Sequence, residues 1–182
     1  MMMWRRTLVG MGIVLSCAAG AFGQAADTPY QIRAIANLKP HDTIVVSNSG
    51  ASSTQPSPQN GGLCANIYAL SATSGLLVEC CACRVAPNAM AQIGVVSDIL
   101  ANPKKRPKSI VLKVMGSSGS SEVCNPGTVA TGPDVLVTGM LVWKDQIPFT
   151  PSTLSAAELA HLNSQCSGLH PSASICPVCQ PQ

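Results

Sequence analysis

The side chains whose type and spacing could do chemistry here are cysteines, nine in a chain of 182 residues. Cys80, Cys81 and Cys83 form a Cys-Cys-x-Cys cluster, and Cys176-Pro177-Val178-Cys179 is a Cys-x-x-Cys pair. Cys17, Cys64, Cys124 and Cys166 stand singly. Three chemistries use such spacings. Paired thiols oxidise to structural disulfides. Four thiolates, from Cys80-x-x-Cys83 and Cys176-x-x-Cys179, can hold zinc in a tetrahedron. A Cys-x-x-Cys at a helix N-terminus, where the first thiol's pKa is lowered, carries out thiol–disulfide exchange. The last option is disfavoured, because only Gln180-Pro181-Gln182 follow Cys179 and no strand–helix–strand unit precedes it.

The choice between disulfide and zinc turns on compartment. Arg5-Arg6 precede an apolar run from Thr7 to Ser16, and small residues follow from Cys17 to Gly23. A positive start, a short apolar stretch and a small-residue cleavage site read as a secretory signal peptide over residues 1–23. The run is about half the roughly 20 residues a membrane span needs. No later segment is apolar enough, so the mature chain is expected to lack a transmembrane span. Val14-Leu15-Ser16-Cys17 resembles a lipobox, but Leu15 fits its position poorly, and a lipid anchor at Cys17 is the lesser alternative.

Cleavage after Gly23 removes Cys17 and leaves eight cysteines: Cys64, Cys80, Cys81, Cys83, Cys124, Cys166, Cys176 and Cys179. An even count in an exported chain reads as a disulfide framework, and oxidising machinery works against free zinc-binding thiolates. All eight are therefore disulfide candidates. No metal site, cofactor or catalytic residue is assigned.

Composition excludes other classes. Charged residues make up 10% of the chain, against roughly 25% in ordinary soluble domains. The net charge of +3 is too small for a dedicated nucleic-acid binder. Trp143 has too few aromatic neighbours in sequence for a stacking platform and is expected as a core anchor. Lys104, Lys105, Arg106 and Lys108 form the single charge run. They read as a solvated loop, with contact to an anionic surface as the sharper alternative. His41, His161 and His170 are isolated and expected at the surface, and no G-x-S-x-G elbow is present.

The elements that position the cysteines are mostly strands. Residues 24–42 are mixed in polarity and read as an N-terminal extension ahead of a sandwich domain over 43–150. Thr43–Ser47 is a β-branched strand. Residues 63–71 alternate with apolar groups on both faces, and with 76–85 they make a hairpin across Thr73-Ser74-Gly75. Residues 91–97, 109–115 and 135–143 read as further strands, the last broken by Gly139. Residues 153–165 form the one convincing helix: Ser155-Ala156-Ala157-Glu158 is a capping box, Leu154, Leu159 and Leu162 make a stripe, and Gly168 ends it. Residues 151–182, helix plus tail, are expected to pack on the same domain. Strand alternation sends Cys81 and Cys83 to one face and Cys80 to the other. Cys64 can link to the adjacent strand if the register allows. Cys166 is expected to tether the tail through Cys176 or Cys179, with a further tail link to the Cys80–Cys83 cluster. The connectivity otherwise stays open.

These elements describe a mainly β fold, an antiparallel β-sandwich of immunoglobulin-like type with one C-terminal helix and a disulfide-tethered tail. Cys64-Ala65-Asn66-Ile67-Tyr68, Glu79-Cys80-Cys81-Ala82-Cys83 with Pro87-Asn88, and Leu154–Leu159 leading to Cys166 together resemble a family of uncharacterised bacterial exported cysteine-rich proteins. The similarity covers roughly residues 43–179. It implies an extracytoplasmic setting and a shared disulfide pattern, and carries no activity.

The expected function is non-enzymatic: an exported, disulfide-stabilised structural or adhesive subunit, or a binding module, outside the cytoplasm. Its partners would be its own copies, as an oligomer or filament, or cell-envelope components. Residues 24–42 are the expected donor to a neighbour's sheet edge. The alternative is a periplasmic metal-binding or thiol-redox protein using the Cys80–Cys83 and Cys176–Cys179 clusters.

Overall fold

The computed structural model describes residues 28–49, 62–102, 106–118, 124–129, 140–172 and 174–179. The expected signal peptide, the Cys17 anchor, Lys104, Lys105 and Gly139 lie outside the described residues. Among the described residues nine strands run in chain order: β1 (Thr28–Ile35), β2 (Thr43–Asn48), β3 (Leu63–Ser71), β4 (Leu77–Val85), β5 (Ala89–Gly94), β6 (Ile110–Ser118), β7 (Met140–Lys144), β8 (Ile147–Pro148) and β9 (Thr150–Leu154). One α-helix, α1, spans Ala156–Leu169. The strands form two antiparallel sheets, a first in the order β4-β3-β6-β1-β9 and a second in the order β5-β2-β7-β8.

The alternation of side chains explains how the sheets are buried. Ile67, Leu112 and Val114 of the first sheet share one core with Ile44, Val46, Ile93 and Val142 of the second. The first sheet's other face holds Tyr30, Tyr68 and Met115 against Leu159, Leu162 and Cys166 of α1. Covered on both sides, β3 is buried from Leu63 to Ala69, which is why both of its faces are apolar. Gly75 closes the β3–β4 hairpin at φ +70°, a left-handed conformation suited to glycine.

Several expectations are corrected. The stretch taken as an N-terminal extension contains β1, an interior strand paired with β6 on one side and β9 on the other. It is therefore not free to join a neighbour's sheet. Its polarity pattern is broken by Gln31, whose amide crosses to the second sheet. There its Nε2 donates to the Met140 carbonyl at 2.6 Å and its Oε1 accepts from the Val142 N–H at 2.9 Å.

The strand expected at 91–97 runs over Ala89–Gly94 and turns into one π-helical turn, Val95–Ile99. Asp98 Oδ2 accepts from the Gly94 N–H at 2.6 Å and draws the chain out of the sheet. Two short strands, β8 and β9, follow β7. Pro151 sits in β9 at the sheet's edge, where a missing N–H is tolerated. The capping box forms as expected, with Ser155 Oγ accepting from the Glu158 N–H and Glu158 Oε2 accepting from the Ser155 N–H. Gly168 does not end the helix; the chain leaves at His170, whose N–H still donates to the Cys166 carbonyl.

Candidate functional site

The eight cysteines converge on β4 and its surroundings as four disulfides. Cys64 pairs with Cys124, Cys80 with Cys166, Cys81 with Cys176, and Cys83 with Cys179. Strand alternation governs the directions. Cys80 lies among the residues under α1, whereas Cys81 and Cys83 lie in the core between the sheets and take both tail cysteines. The tail also pairs as backbone: Ala82 N–H donates to the Ser174 carbonyl and Cys176 N–H to the Ala82 carbonyl. An isolated parallel bridge between Ala82 and Ile175 thus lies along β4, the edge strand of the first sheet.

Two expected linkages are corrected. Cys166 does not hold the tail, because its position on the buried face of α1 sets it over β4, opposite Cys80. Cys64 does not bridge to β4, because the register sets Arg84 opposite it, and it pairs instead with Cys124 beside Ala82. The link between the tail and the Cys80–Cys83 cluster does form, twice. These pairings bear on the alternative chemistry. Cys176 and Cys179 are bonded to β4 and not to each other, so they form no Cys-x-x-Cys exchange pair. All four cysteines of the alternative zinc set are held in bridges.

Beside the Cys80–Cys166 bridge lies a polar contact that no sequence motif announces. His170 Nε2 meets Glu79 Oε1 directly, and Glu79 Oε1 also accepts from the Cys80 N–H at 3.0 Å. Both side chains line a cleft of roughly 180 Å³ with Asp98, Ser174 and Pro177. The signal was present but silent: Glu79 precedes Cys80, and His170 follows Cys166 by one helical turn. The bridge between the two cysteines brings their neighbours together. Glu79, Cys80 and His170 place three donor atoms within 4.8 Å. Cys80 Sγ is held in a disulfide, which leaves two protein ligands, fewer than the three of a catalytic zinc site.

A second polar anchor holds α1 to the loop that carries Cys124. Tyr68 Oη donates to the Pro126 carbonyl at 2.6 Å, and Asn163 Nδ2 donates to the Val129 carbonyl at 2.7 Å. Burial pushes the Tyr68 hydroxyl well above the usual phenol range. At the other end of the fold, Asp42 accepts from the Lys39 N–H at 2.8 Å and meets Lys144 Nζ at 3.0 Å. Burial acts to raise the Asp42 pKa, but the Lys39 N–H and the Lys144 ammonium outweigh it and hold the carboxyl below its ordinary range.

The remaining sequence candidates sit apart. Lys108 is exposed, as expected of a solvated loop. Arg106 is exposed too, but its guanidinium donates to the Val96 and Leu100 carbonyls at 3.3 and 3.2 Å, closing the π-turn. His41 and His161 are exposed. Trp143 is not a core anchor. It lies half-buried on the outer face of the second sheet, in register with Val45 and Pro148. Leu141 and Met90 flank Ser47 on that face and are 57% and 69% exposed.

No protein-family model, no curated protein and no solved structure matches this chain. Among the described residues no helix is long and apolar enough to cross a membrane. Four disulfides in one small domain point to folding in an oxidising, exported setting.

Proposed function

We propose that this chain is a non-enzymatic, disulfide-stapled β-sandwich of the immunoglobulin-like kind. It would act outside the cytoplasm as a structural or adhesive subunit that presents a surface. The carrying observation is the pairing of all eight cysteines into staples, three of which clamp β4 to α1 and to the tail. Thiols spent this way hold geometry and leave none for exchange or metal. One further observation supports a surface role. One face of the second sheet carries exposed Met90 and Leu141 beside half-buried Trp143. On this reading the signal peptide exports the chain, and its partners are its own copies or cell-envelope components. The chain would belong with the exported cysteine-rich proteins that its Cys-Cys-x-Cys element resembles.

The test uses the purified exported chain with its N-terminus determined. Native alkylation counts its thiols, and sedimentation follows it alone and with isolated cell-envelope fragments. The expected result is no alkylated cysteine, with sedimentation as its own assemblies or with the fragments. A free thiol, or a monomer that leaves the fragments unbound, contradicts the reading.

A further inference from the structure

Every sheet edge raises the question of what stops it from pairing with another chain. Here the answers differ strand by strand. β4 is covered by the tail through the Ala82–Ile175 bridge. β9 carries Pro151, and β8 is two residues long. β5, Ala89-Met90-Ala91-Gln92-Ile93-Gly94, pairs among the described residues with β2 alone and has neither charge nor proline. Its exposed Met90 continues the row Met90–Ser47–Leu141 across the sheet's outer face.

The backbone directions along β5 can be read from its C-terminal end. Val95 N–H donates to the Asp42 carbonyl, on the β2 side, at 2.7 Å. Gly94 N–H instead takes the Asp98 carboxylate, on the open side. Peptide groups of an antiparallel strand alternate between its two sides. Ala91 and Ile93 therefore point their N–H and C=O at β2, and Met90 and Gln92 point theirs outward. Asp98 closes the edge at Gly94, and among the described residues no hydrogen bond closes it at Met90 or Gln92.

We infer that β5 is a self-pairing edge: two copies join antiparallel about a two-fold axis at Ala91, making one continuous eight-stranded sheet. This deepens the structural role proposed above and rests on it. The register follows from the alternation. Met90 of one copy exchanges both of its backbone hydrogen bonds with Gln92 of the other, and symmetry repeats the exchange, giving four bonds. Ala91 faces Ala91 at the axis, a close non-hydrogen-bonded position that a small side chain suits. Inward residues meet inward residues, so the core face of the extended sheet stays apolar, and Met90 lies over Gln92 on the outer face. A second copy is the occupant because the strand is its own complement: uncharged, without proline, and in parity with itself about Ala91. An isologous contact of this kind closes as a dimer.

The experiment is sedimentation velocity of the oxidised full-length mature protein over a concentration series. It is repeated on Gln92→Pro and Met90→Lys, with circular dichroism and a thiol count on each. Gln92→Pro removes an outward N–H and leaves the ladder to β2 untouched, and proline is tolerated on such an edge. Met90→Lys adds an exposed edge charge that needs no rearrangement of the fold. Wild type is expected to pass from monomer to dimer. Both folded variants should stay monomeric, or show a dissociation constant raised at least about tenfold, equivalent to about 1.4 kcal/mol. A wild type that stays monomeric to several hundred micromolar overturns the inference, whether or not the edge accepts another protein's strand. A dimer unchanged in both variants overturns it too. Either result leaves the thiol count and envelope binding intact, so the edge can fail without the structural role failing.

Discussion

Cys80 and Cys81 are neighbours in β4, and their disulfides leave the strand in opposite directions. Cys80 reaches α1 at Cys166, and Cys81 reaches the tail at Cys176. Because consecutive strand residues face opposite sides of a sheet, two adjacent cysteines can staple two separate layers. Cys83 repeats the direction of Cys81 and takes Cys179. β4 is thus the beam to which α1 and the tail are fixed.

Removing the helix staple should weaken the whole domain. The double substitution Cys80→Ser with Cys166→Ser opens a link spanning 86 residues of sequence. It should cost about 2–5 kcal/mol, read by denaturant unfolding, and leave the other three bridges oxidised. A loss below about 1 kcal/mol would mean that apolar packing alone seats α1.

Removing the tail staples should act differently. With Cys81→Ser, Cys176→Ser, Cys83→Ser and Cys179→Ser combined, residues 174–179 lose their anchors and the edge of β4 is uncovered. Limited proteolysis should then cut the tail before the domain, and light scattering should show new association through β4. A tail that still resists protease would show that the Ala82 backbone pairing suffices.

Tyr68→Phe tests the polar anchor behind Cys124. It leaves the Pro126 carbonyl without its buried donor at an otherwise unchanged shape. The expected cost is about 1–3 kcal/mol in chemical unfolding. In the native wild type, ultraviolet titration should show one phenol that stays protonated until the chain unfolds in alkali. A phenol titrating in the native state with an ordinary value at Tyr68 would contradict its placement.

Asp42 sets an acid limb. Its folded pKa lies below its unfolded one, so the folded chain binds fewer protons there. The stabilisation is present above the unfolded value near pH 4 and is lost as pH falls through the lower folded value. Thermal midpoints of wild type should therefore drop over that window. Asp42→Asn should flatten that drop while lowering the midpoint at neutral pH. Parallel curves for the two proteins would exclude the Asp42–Lys144 pair as the cause.

The parts of the fold legible in the sequence were those with a local signal. β2, β3, β4 and the start of α1 announce themselves through β-branched runs, alternation and the Ser155–Glu158 box. The opposed directions of Cys80 and Cys81 follow from strand period alone. β1 was hidden because Gln31 is a polar residue turned inward to cap β7. β9 was hidden because Pro151 looks like a breaker until its edge position is known. Trp143 was misplaced because apolar character does not say which face of a sheet is covered. The pairing partners were illegible for a related reason. Links across 60 to 96 residues depend on strand order, and strand order has no local signature. The Glu79–His170 contact is hidden for the same cause, since it joins β4 to the end of α1 across 91 residues of sequence.

The eight cysteines are staples in one set arrangement. The most direct measurement is disulfide mapping of the oxidised mature protein, with partial reduction and stepwise alkylation to separate Cys80 from Cys81. The expected pairs are Cys64–Cys124, Cys80–Cys166, Cys81–Cys176 and Cys83–Cys179, with none of the eight free. A Cys176–Cys179 bridge, or free thiols in the Cys80–Cys83 cluster, would contradict it and return the chain to thiol chemistry.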